Sequence, residues 1–242
     1  GADPDGLNIN DGYGSTHLSA LQAAVLEHGA DLGVAHDGDA DRCLAVDASG
    51  AIVDGDQIMA ILAVSMNARG LLKDSTLVAT VMSNLGLHRA MAGHGITVRQ
   101  TAVGDRYVLE DMAAGGYSLG GEQSGHIVMT DYATTGDGLI AGLQFLAEMA
   151  RSGQPASTLV KQFETVPQML KNVRFTAGAK PLEVAAVKAI IAAKTEAIKG
   201  KGRILIRKSG TEPLIRVMAE CEDEGMLRDV VDEIVGAVQA AV

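Results

Sequence analysis

The chain has 242 residues, of which 47% are hydrophobic and 21% are charged, and its formal net charge is -10. This composition is typical of a globular protein, and the acidic balance argues against a nucleic-acid partner, because phosphate backbones bind basic surfaces. No apolar run approaches the roughly 20 residues of a membrane span, so we expect no membrane partner either. Cys43 and Cys221 form no disulfide framework, and their apolar surroundings predict buried thiols in a reducing compartment such as the cytoplasm.

The first 54 residues contain too few elements for a domain of their own. The predicted elements are a helix that Ser15 or Thr16 caps and Gly29 ends, a strand that ends at Ala35, and a hairpin over residues 43–53. One helix and three short strands bury little apolar surface. We therefore expect residues 1–54 to be the C-terminal part of a domain that begins outside this sequence.

From residue 55 onward, helices alternate with strands, which favours a three-layer α/β/α unit with a mostly parallel, mixed sheet. The predicted helices cover 56–69, 83–91 with Ser83 as the N-cap, 105–114 and 137–151, and the predicted strands cover 77–82, 96–103, 117–120 and 127–130. Ligands of such sheets bind beyond the carboxyl ends of the strands. The domain expected over residues 55–160 should therefore carry its site around residues 121–126.

Prolines at 155 and 167 indicate an inter-domain connection. The last domain, expected over residues 161–242, has the pattern of an α+β module with the order β-α-β-β-α. Its predicted strands cover 172–175, 203–207 and 214–220, and its predicted helices cover 181–198 and 226–240. The sequence contains no evident internal repeat.

Three aspartates at alternate positions, Asp37, Asp39 and Asp41, stand directly before Arg42. Carboxylates this close repel one another by roughly 1 kcal/mol per pair unless a hard cation, Mg²⁺ or Ca²⁺, neutralises them. An EF-hand is excluded, because its sixth and twelfth positions require Gly and Glu but would hold Arg42 and Ala48. Arg42 next to the cluster indicates that a metal and a guanidinium bind one phosphate together. Taken alone, the stretch could also be a solvated acidic turn.

Residues 121–126 combine a carboxylate, an amide, a hydroxyl and an imidazole between two glycines. Side chains such as those of Glu122 and Ser124 bind neighbouring sugar hydroxyls. His126 is a candidate proton acceptor, with a packed neutral histidine as the alternative. Taken by itself, this loop could also be a β-turn in which Glu122 is exposed.

Cations and hydroxyls surround the turn between the last two predicted strands. Arg207, Ser209, Gly210 and Thr211 lie on one side of the turn, and Arg216 lies on the strand across from Arg207. Two arginines around a flexible, amide-rich turn predict a site for a dianionic phosphate. No Walker A motif is present, so nucleotide binding is not indicated.

With these three loops the chain resembles the α-D-phosphohexomutase family. Residues 37–42 are similar to the metal loop of the family, residues 121–126 to its sugar loop, and residues 207–213 to its phosphate loop. The resemblance implies α/β/α mixed-sheet domains followed by a C-terminal domain with a TATA-binding-protein-like sheet. It also implies Mg²⁺ as the cofactor, held by the three aspartates.

Within this family, the sequence is most similar to the glucosamine branch, and the phosphomannomutase and phosphoglucomutase branches are the alternatives. The similarity is found at Gln123 and in residues 103–108 and 208–216. The implied reaction moves a phosphoryl group between O6 and O1 of a hexosamine phosphate through a phosphoserine and a 1,6-bisphosphate, and it serves UDP-N-acetylglucosamine and cell-wall precursor synthesis. The implied roles are charge stabilisation by Arg42, binding of sugar hydroxyls by Glu122 and Ser124, and phosphate binding by Arg207, Ser209, Gly210, Thr211 and Arg216.

The phosphorylated serine of the family stands in a Thr-Arg-x-Ser-Gly-like setting. None of the Ser-Gly pairs of this chain, at Ser49, Ser124, Ser152 and Ser209, has that setting. We therefore expect the serine to lie in an N-terminal domain outside these residues, and the 242 residues alone to bind substrate without turnover. A metal and sugar-phosphate binding module without catalytic activity is the alternative.

Overall fold

The computed structural model describes residues 5–176, 178–209 and 212–241. The chain forms two units, residues 1–164 and residues 165–242. Two predicted site residues, Gly210 and Thr211, lie outside the described residues. Among the described helices, none combines the length and the apolar character needed to cross a membrane.

The first unit begins with a small antiparallel sheet. Its elements are α1 (Ser19–His28), β1 (Leu32–Ala35), β2 (Leu44–Asp47) and β3 (Ile52–Val53), with the strand order β1-β2-β3. Gly29 ends α1 in the left-handed conformation, with φ 59°, as glycine permits. The predicted cap at Ser15 or Thr16 is wrong, because these residues form a separate 3-10 turn and Leu18 precedes the helix.

A larger mixed sheet follows in the same unit. Its elements are α2 (Gly55–Ala68), β4 (Thr76–Thr80), α3 (Leu85–Gly93), β5 (Thr97–Thr101), α4 (Asp105–Gly115), β6 (Leu119–Gly121), β7 (Ile127–Met129) and α5 (Gly138–Ser152). The strand order is β5-β4-β6-β7, and only β7 runs antiparallel to its neighbour. The predicted cap Ser83 is wrong by one position, because Asn84 accepts the hydrogen bond from the Gly86 amide at 2.8 Å.

Helices cover both faces of the larger sheet, as the prediction of three layers requires. Leu77 of β4 packs with Ile58 of α2 on one face, and Val78 packs with Val108 and Met112 of α4 on the other. A strand buried on both faces is apolar over most of its length, which explains the run of Leu77, Val78 and Ala79 between the two threonines of β4. A short helix, α6 (Ala156–Leu159), lies where the sequence predicted only a connection.

The second unit has the predicted order β-α-β-β-α. Its elements are β8 (Gln168–Arg174), α7 (Ala185–Ile198), β9 (Gly202–Lys208), β10 (Leu214–Cys221) and α8 (Glu224–Ala240), and its antiparallel sheet has the order β8-β10-β9. Ile215, Val217 and Ala219 alternate along β10 and pack with Val231 and Ile234 of α8. One face of the sheet therefore carries the core of this unit.

Both cysteines are buried, as predicted, and neither forms a disulfide. Burial raises the pKa of the Cys43 thiol to about 12. A thiol held protonated in this way reacts slowly at neutral pH, so Cys43 contributes packing rather than chemistry.

Candidate functional site

The acidic loop connects β1 to β2 at the edge of the first unit. One carboxylate oxygen from each of Asp37, Asp39 and Asp41 lies within 4.8 Å of the other two. Oxygens this close suit a hard cation such as Mg²⁺ or Ca²⁺. In addition, the buried Oδ1 of Asp41 has no hydrogen-bond partner among the described residues, which is costly for an anion unless a cation compensates it. The donor set therefore fits the predicted metal.

Backbone contacts fix the shape of the acidic loop. The amide of Ala40, which has a left-handed φ of 56°, donates to the carbonyl of Asp37 at 3.1 Å, and Nδ1 of His36 lies 2.8 Å from the carbonyl of Arg42. The amide of Gly138, the first residue of α5, donates to the carbonyl of Ala40 at 2.9 Å. A side chain at Gly138 would collide with the Arg42 carbonyl and the His36 ring, so only glycine fits.

The backbone amide of Arg42 donates to Oδ1 of Asp37 at 3.2 Å, whereas its side chain makes no short contact with the aspartates. Its Nε is 3.5 Å from Oδ2 of Asp37 and 3.7 Å from Oδ1 of Asp41, distances too long for hydrogen bonds. The side chain is 39% exposed. The Nε atom itself is buried, so the exposed part of the side chain lies elsewhere.

His126 connects the acidic loop to the loop after β6. Its Nδ1 lies 2.9 Å from Oδ2 of Asp41, and beside it the amide of Cys43 donates to the carbonyl of Gly125 at 3.0 Å. The His126 ring is 3% exposed and packs against Gly136, where a side chain would collide with it. The structure thus brings two predicted site residues, Asp41 and His126, into direct contact, while the predicted role of His126 as a proton acceptor stays a prediction.

Burial raises the pKa of the Asp41 carboxyl above its ordinary value. The hydrogen bond with His126 opposes this shift, whereas the neighbouring Asp37 adds to it. Like charges and desolvation both disfavour a carboxylate, and a bound cation favours it. The electrostatics of the loop therefore agree with the donor geometry.

The loop after β6 lines a cavity at the carboxyl ends of the parallel strands. The cavity has a volume of about 300 Å³ and is lined by Thr80, Met82, Val103, Glu122, Gln123 and Ser124. This volume is at the lower end of the range for small-molecule sites. Oε1 of Glu122 accepts a hydrogen bond from the amide of Gly104 at 2.9 Å. Sequence reasoning missed Gly104, although its φ of 130° explains why glycine stands there.

Gln123 is bound to the start of α2. Its Nε2 donates to Oδ2 of Asp54 at 3.2 Å, and the amide of Gly55 donates to the Gln123 carbonyl at 3.0 Å. Asp54 also caps α2 by accepting from the amide of Gln57 at 3.0 Å, in a capping box. The Asp-x-x-Gln spacing could have identified this cap from the sequence, but the contact with Gln123 could not be read from it.

The predicted phosphate loop lies in the second unit, between β9 and β10. Arg207 and Arg216 are direct partners in the antiparallel register. Nε of Arg216 is buried and has no hydrogen-bond partner among the described residues. Ser209 holds the turn, because its amide donates to the Leu214 carbonyl at 2.9 Å. Two like charges directly opposite each other destabilise a sheet, and a bound anion would relieve that repulsion.

Comparisons with known proteins agree with this fold. The family model for the phosphoglucomutase/phosphomannomutase alpha/beta/alpha domain III matches residues 54–166, and the model for the C-terminal domain of the same family matches residues 170–237. Phosphoglucosamine mutase from Jannaschia sp. is 65% identical over 242 residues, and that from Paracoccus denitrificans is 64% identical over 241. The chain spans about half the length of these curated relatives, 54% in each case.

Solved structures share the fold at lower identity. A phosphoglucomutase/phosphomannomutase family protein from Burkholderia thailandensis matches with a TM-score of 0.77 and 23% identity, over 94% of this chain and 50% of that one. N-acetylphosphoglucosamine mutase from Aspergillus fumigatus, solved with GlcNAc-6P and magnesium, matches with a TM-score of 0.77 and 22% identity, over 99% of this chain and 55% of that one.

A mixed-sheet α/β unit followed by an α+β module is the fold of the phosphohexomutases. The chain belongs to the phosphoglucomutase/phosphomannomutase family, the α-D-phosphohexomutases. The resemblance found in the sequence is thereby confirmed. The curated relatives cited above carry the name phosphoglucosamine mutase.

Proposed function

We propose that the full-length protein containing this chain is a phosphoglucosamine mutase, which interconverts glucosamine 6-phosphate and glucosamine 1-phosphate. The observation that carries the proposal is the 2.9 Å contact between His126 and Asp41. This contact fastens the acidic loop to the loop that lines the cavity, so that a phosphoryl group at the aspartates would lie next to a bound sugar. The 65% identity to a relative of that name supports the choice of hexosamine.

In the proposed protein, residues 1–54 complete a second domain, residues 55–160 form the third and residues 161–242 form the fourth. The relatives are about twice as long as this chain, which supports a further N-terminal region. That region is the proposed partner of the chain and carries the phosphorylated serine. We also propose a cytoplasmic location, which the two free, buried thiols support.

Asp37, Asp39 and Asp41 are the proposed ligands of Mg²⁺, and their clustered oxygens support this assignment. A bound Mg²⁺ would neutralise negative charge on the phosphoryl group that is transferred. Arg42, whose side chain is partly exposed, provides the second positive charge there.

Glu122 and Ser124 line the cavity and are the proposed partners of the sugar hydroxyls. Since the Gly104 amide occupies one carboxylate oxygen of Glu122, the other oxygen accepts from the sugar. Arg207 and Arg216, which are partners in the register of β9 and β10, are proposed to bind the phosphate that does not react. Ser209, Gly210 and Thr211 are proposed to take part in the same binding.

The test uses the purified full-length protein with the Arg207→Ala variant. Loss of a charge-assisted phosphate contact costs roughly 1.5 to 3 kcal/mol, so we expect KM for glucosamine 6-phosphate to rise about tenfold or more. Arg228→Ala is the matched control, because Arg228 is an exposed arginine on α8 of the same unit. Its KM should equal that of the wild type.

Comparison of glucosamine 6-phosphate with mannose 6-phosphate tests the substrate. Faster turnover of mannose 6-phosphate would overturn the proposal that the substrate is a hexosamine phosphate. The proposal that the protein is a mutase would stand. If wild type, Arg207→Ala and Arg228→Ala share one KM, the phosphate loop is misassigned. Sugar-phosphate binding without any turnover of the full-length protein would favour a binding module instead.

A further inference from the structure

The cavity beside the loop after β6 has a single charge in its lining, and that charge is negative. The lining residues are Thr80, Met82, Val103, Glu122, Gln123 and Ser124, of which only Glu122 ionises. Methionine and valine offer little to a polar ligand, and a hydroxyl can either donate or accept. A ligand that brings a positive charge into this cavity therefore meets a carboxylate and no cation of the lining.

Asp54 determines which end of the Gln123 side chain is left for a ligand. Nε2 of Gln123 lies 3.2 Å from Oδ2 of Asp54. The oxygens of an ionised carboxylate only accept hydrogen bonds, so the nitrogen of Gln123 must face Asp54 and its oxygen must face away. This oxygen has no hydrogen-bond partner among the described residues. The free end of the Gln123 amide is therefore an acceptor.

Asp54 is itself held by the first turn of α2. Its Oδ1 accepts from the amide of Gln57 at 3.0 Å, and its own amide donates to Oε1 of Gln57 at 3.0 Å. Burial raises the pKa of the Asp54 carboxyl, and the hydrogen bonds from the Gln57 amide and from Gln123 oppose this rise. Donors at both oxygens favour the ionised form, which is the form that orients Gln123.

The backbone of Gln123 is fixed as well. Its carbonyl accepts from the amide of Gly55 at 3.0 Å, and the amide of Gly125 donates to the carbonyl of Glu122 at 3.0 Å. A Cβ at Gly55 would lie 2.3 Å from the Glu122 carbonyl oxygen and 2.8 Å from that of Gln123, so the loop lies directly against α2. An acceptor that is already fixed in place loses little freedom when a ligand binds.

We propose that Gln123, oriented by Asp54, is the residue that recognises the protonated amino group of the hexosamine substrate. The Gln123 oxygen accepts a hydrogen bond from the ammonium, and the carboxylate of Glu122 supplies the negative charge beside it. Hydrogen bonds from a charged donor are roughly twice as strong as those between neutral groups, so this arrangement favours an amine over a hydroxyl at the same carbon. The inference rests on the proposed function, since it concerns the sugar bound in that cavity.

The substitution Asp54→Asn reverses the Gln123 amide without removing the cap of α2, because asparagine caps helices about as well as aspartate. The oxygen of the new side chain would accept from the Gln57 amide, and its nitrogen would donate to the Gln123 oxygen. The nitrogen of Gln123 would then be the free end of the amide, and it cannot accept from an ammonium. A second variant, Gln123→Met, removes the acceptor and keeps a side chain of similar length.

Calorimetric titrations of the full-length protein compare glucosamine 6-phosphate with glucose 6-phosphate, which carry an amino group and a hydroxyl at the same carbon. We expect the wild type to bind the amino sugar about tenfold more tightly, and Asp54→Asn and Gln123→Met to lose this preference. Asp223→Asn is the matched control, because it makes the same change at the N-cap of α8 in the other unit. It should keep the wild-type ratio of the two affinities.

The ratio of the two affinities separates recognition of the amine from stability of the loop. A wild-type ratio near one would overturn the proposal, and so would a ratio that either variant leaves unchanged, including equal weakening of both sugars. Turnover of glucosamine 6-phosphate is measured on the same preparations. A wild type with the expected ratio and no turnover would refute the proposed mutase alone, whereas turnover with an unchanged ratio in the variants would refute the role of Gln123 alone.

Discussion

Asp41 is the residue at which the two loops of the first unit meet. One of its carboxylate oxygens contacts Nδ1 of His126 at 2.9 Å, and the other is buried without a hydrogen bond among the described residues. A carboxylate held on one side by a donor has a fixed orientation, which is how ligands of a metal are commonly positioned. The burial of His126 favours this positioning role over direct contact with substrate.

Two amide substitutions of His126 separate these roles. Asn places an amide nitrogen near the position of Nδ1, whereas Gln places it near Nε2. We expect His126→Asn to keep the Mg²⁺ affinity of the full-length protein and His126→Gln to weaken it by about tenfold, or 1.4 kcal/mol, in calorimetric titrations. His94→Gln, at an exposed histidine after α3, is the control. If His126 is the proton acceptor, both variants should instead lose turnover with unchanged Mg²⁺ affinity.

At the scale of elements, the beginnings of two helices hold the site loops. The first residue of α5, Gly138, donates to the acidic loop, and the first residue of α2, Gly55, donates to the loop after β6. A Cβ at either glycine would collide with backbone atoms of the loop it holds. These loops are therefore packed against rigid elements, which is the arrangement that keeps binding groups in place.

The α2 cap offers a test of this coupling. Asp54→Ala and Asp223→Ala each remove an N-cap, of α2 and of α8, and each should lower the free energy of unfolding by about 1 kcal/mol. Only Asp54 also binds Gln123 of the cavity wall. We expect KM for the sugar phosphate to rise in Asp54→Ala and to stay at the wild-type value in Asp223→Ala. Equal KM values in both variants, with equal losses of stability, would mean that the cap acts on stability alone.

At the scale of the whole molecule, each unit has its own hydrophobic core. Ile58 belongs to the core of the first unit and Ile234 to that of the second, and both are fully buried. Each core is formed by residues of its own unit, from Cys43 to Phe163 in the first and from Val173 to Val238 in the second. We therefore treat the two units as separate folding units in the sense used for native-state hydrogen exchange.

Replacing a buried isoleucine in the core of one unit should destabilise that unit and leave the other unchanged. Ile58→Ala and Ile234→Ala each remove buried methylene groups, at a cost of about 2 to 5 kcal/mol. In hydrogen exchange of the full-length protein, Ile58→Ala should lower protection in β4 and β6, and Ile234→Ala should lower protection in β8 and β10. Each variant serves as the control for the other. Equal loss of protection in both units from either variant would show that they unfold together.

The order of the elements could be predicted from the sequence, because it depends on short-range patterns. The chemistry of the three loops, which rests on patterns of the same kind, stays a prediction. Aspartates at alternate positions repel unless a cation joins them, and β10 alternates between core and surface along its length. The same reasoning fails at helix starts, where several residues could cap. Asn84 caps α3 in place of Ser83, and Leu18 precedes α1 in place of Ser15.

The tertiary structure decided which of these local features meet. Asp41 and His126 are 85 positions apart, and Asp54 and Gln123 are 69 apart. No local pattern specifies such pairs, because they depend on how α2 and α5 pack against two different sheets. Sequence determines each loop through its own side chains, whereas packing of the core determines which loops share a site.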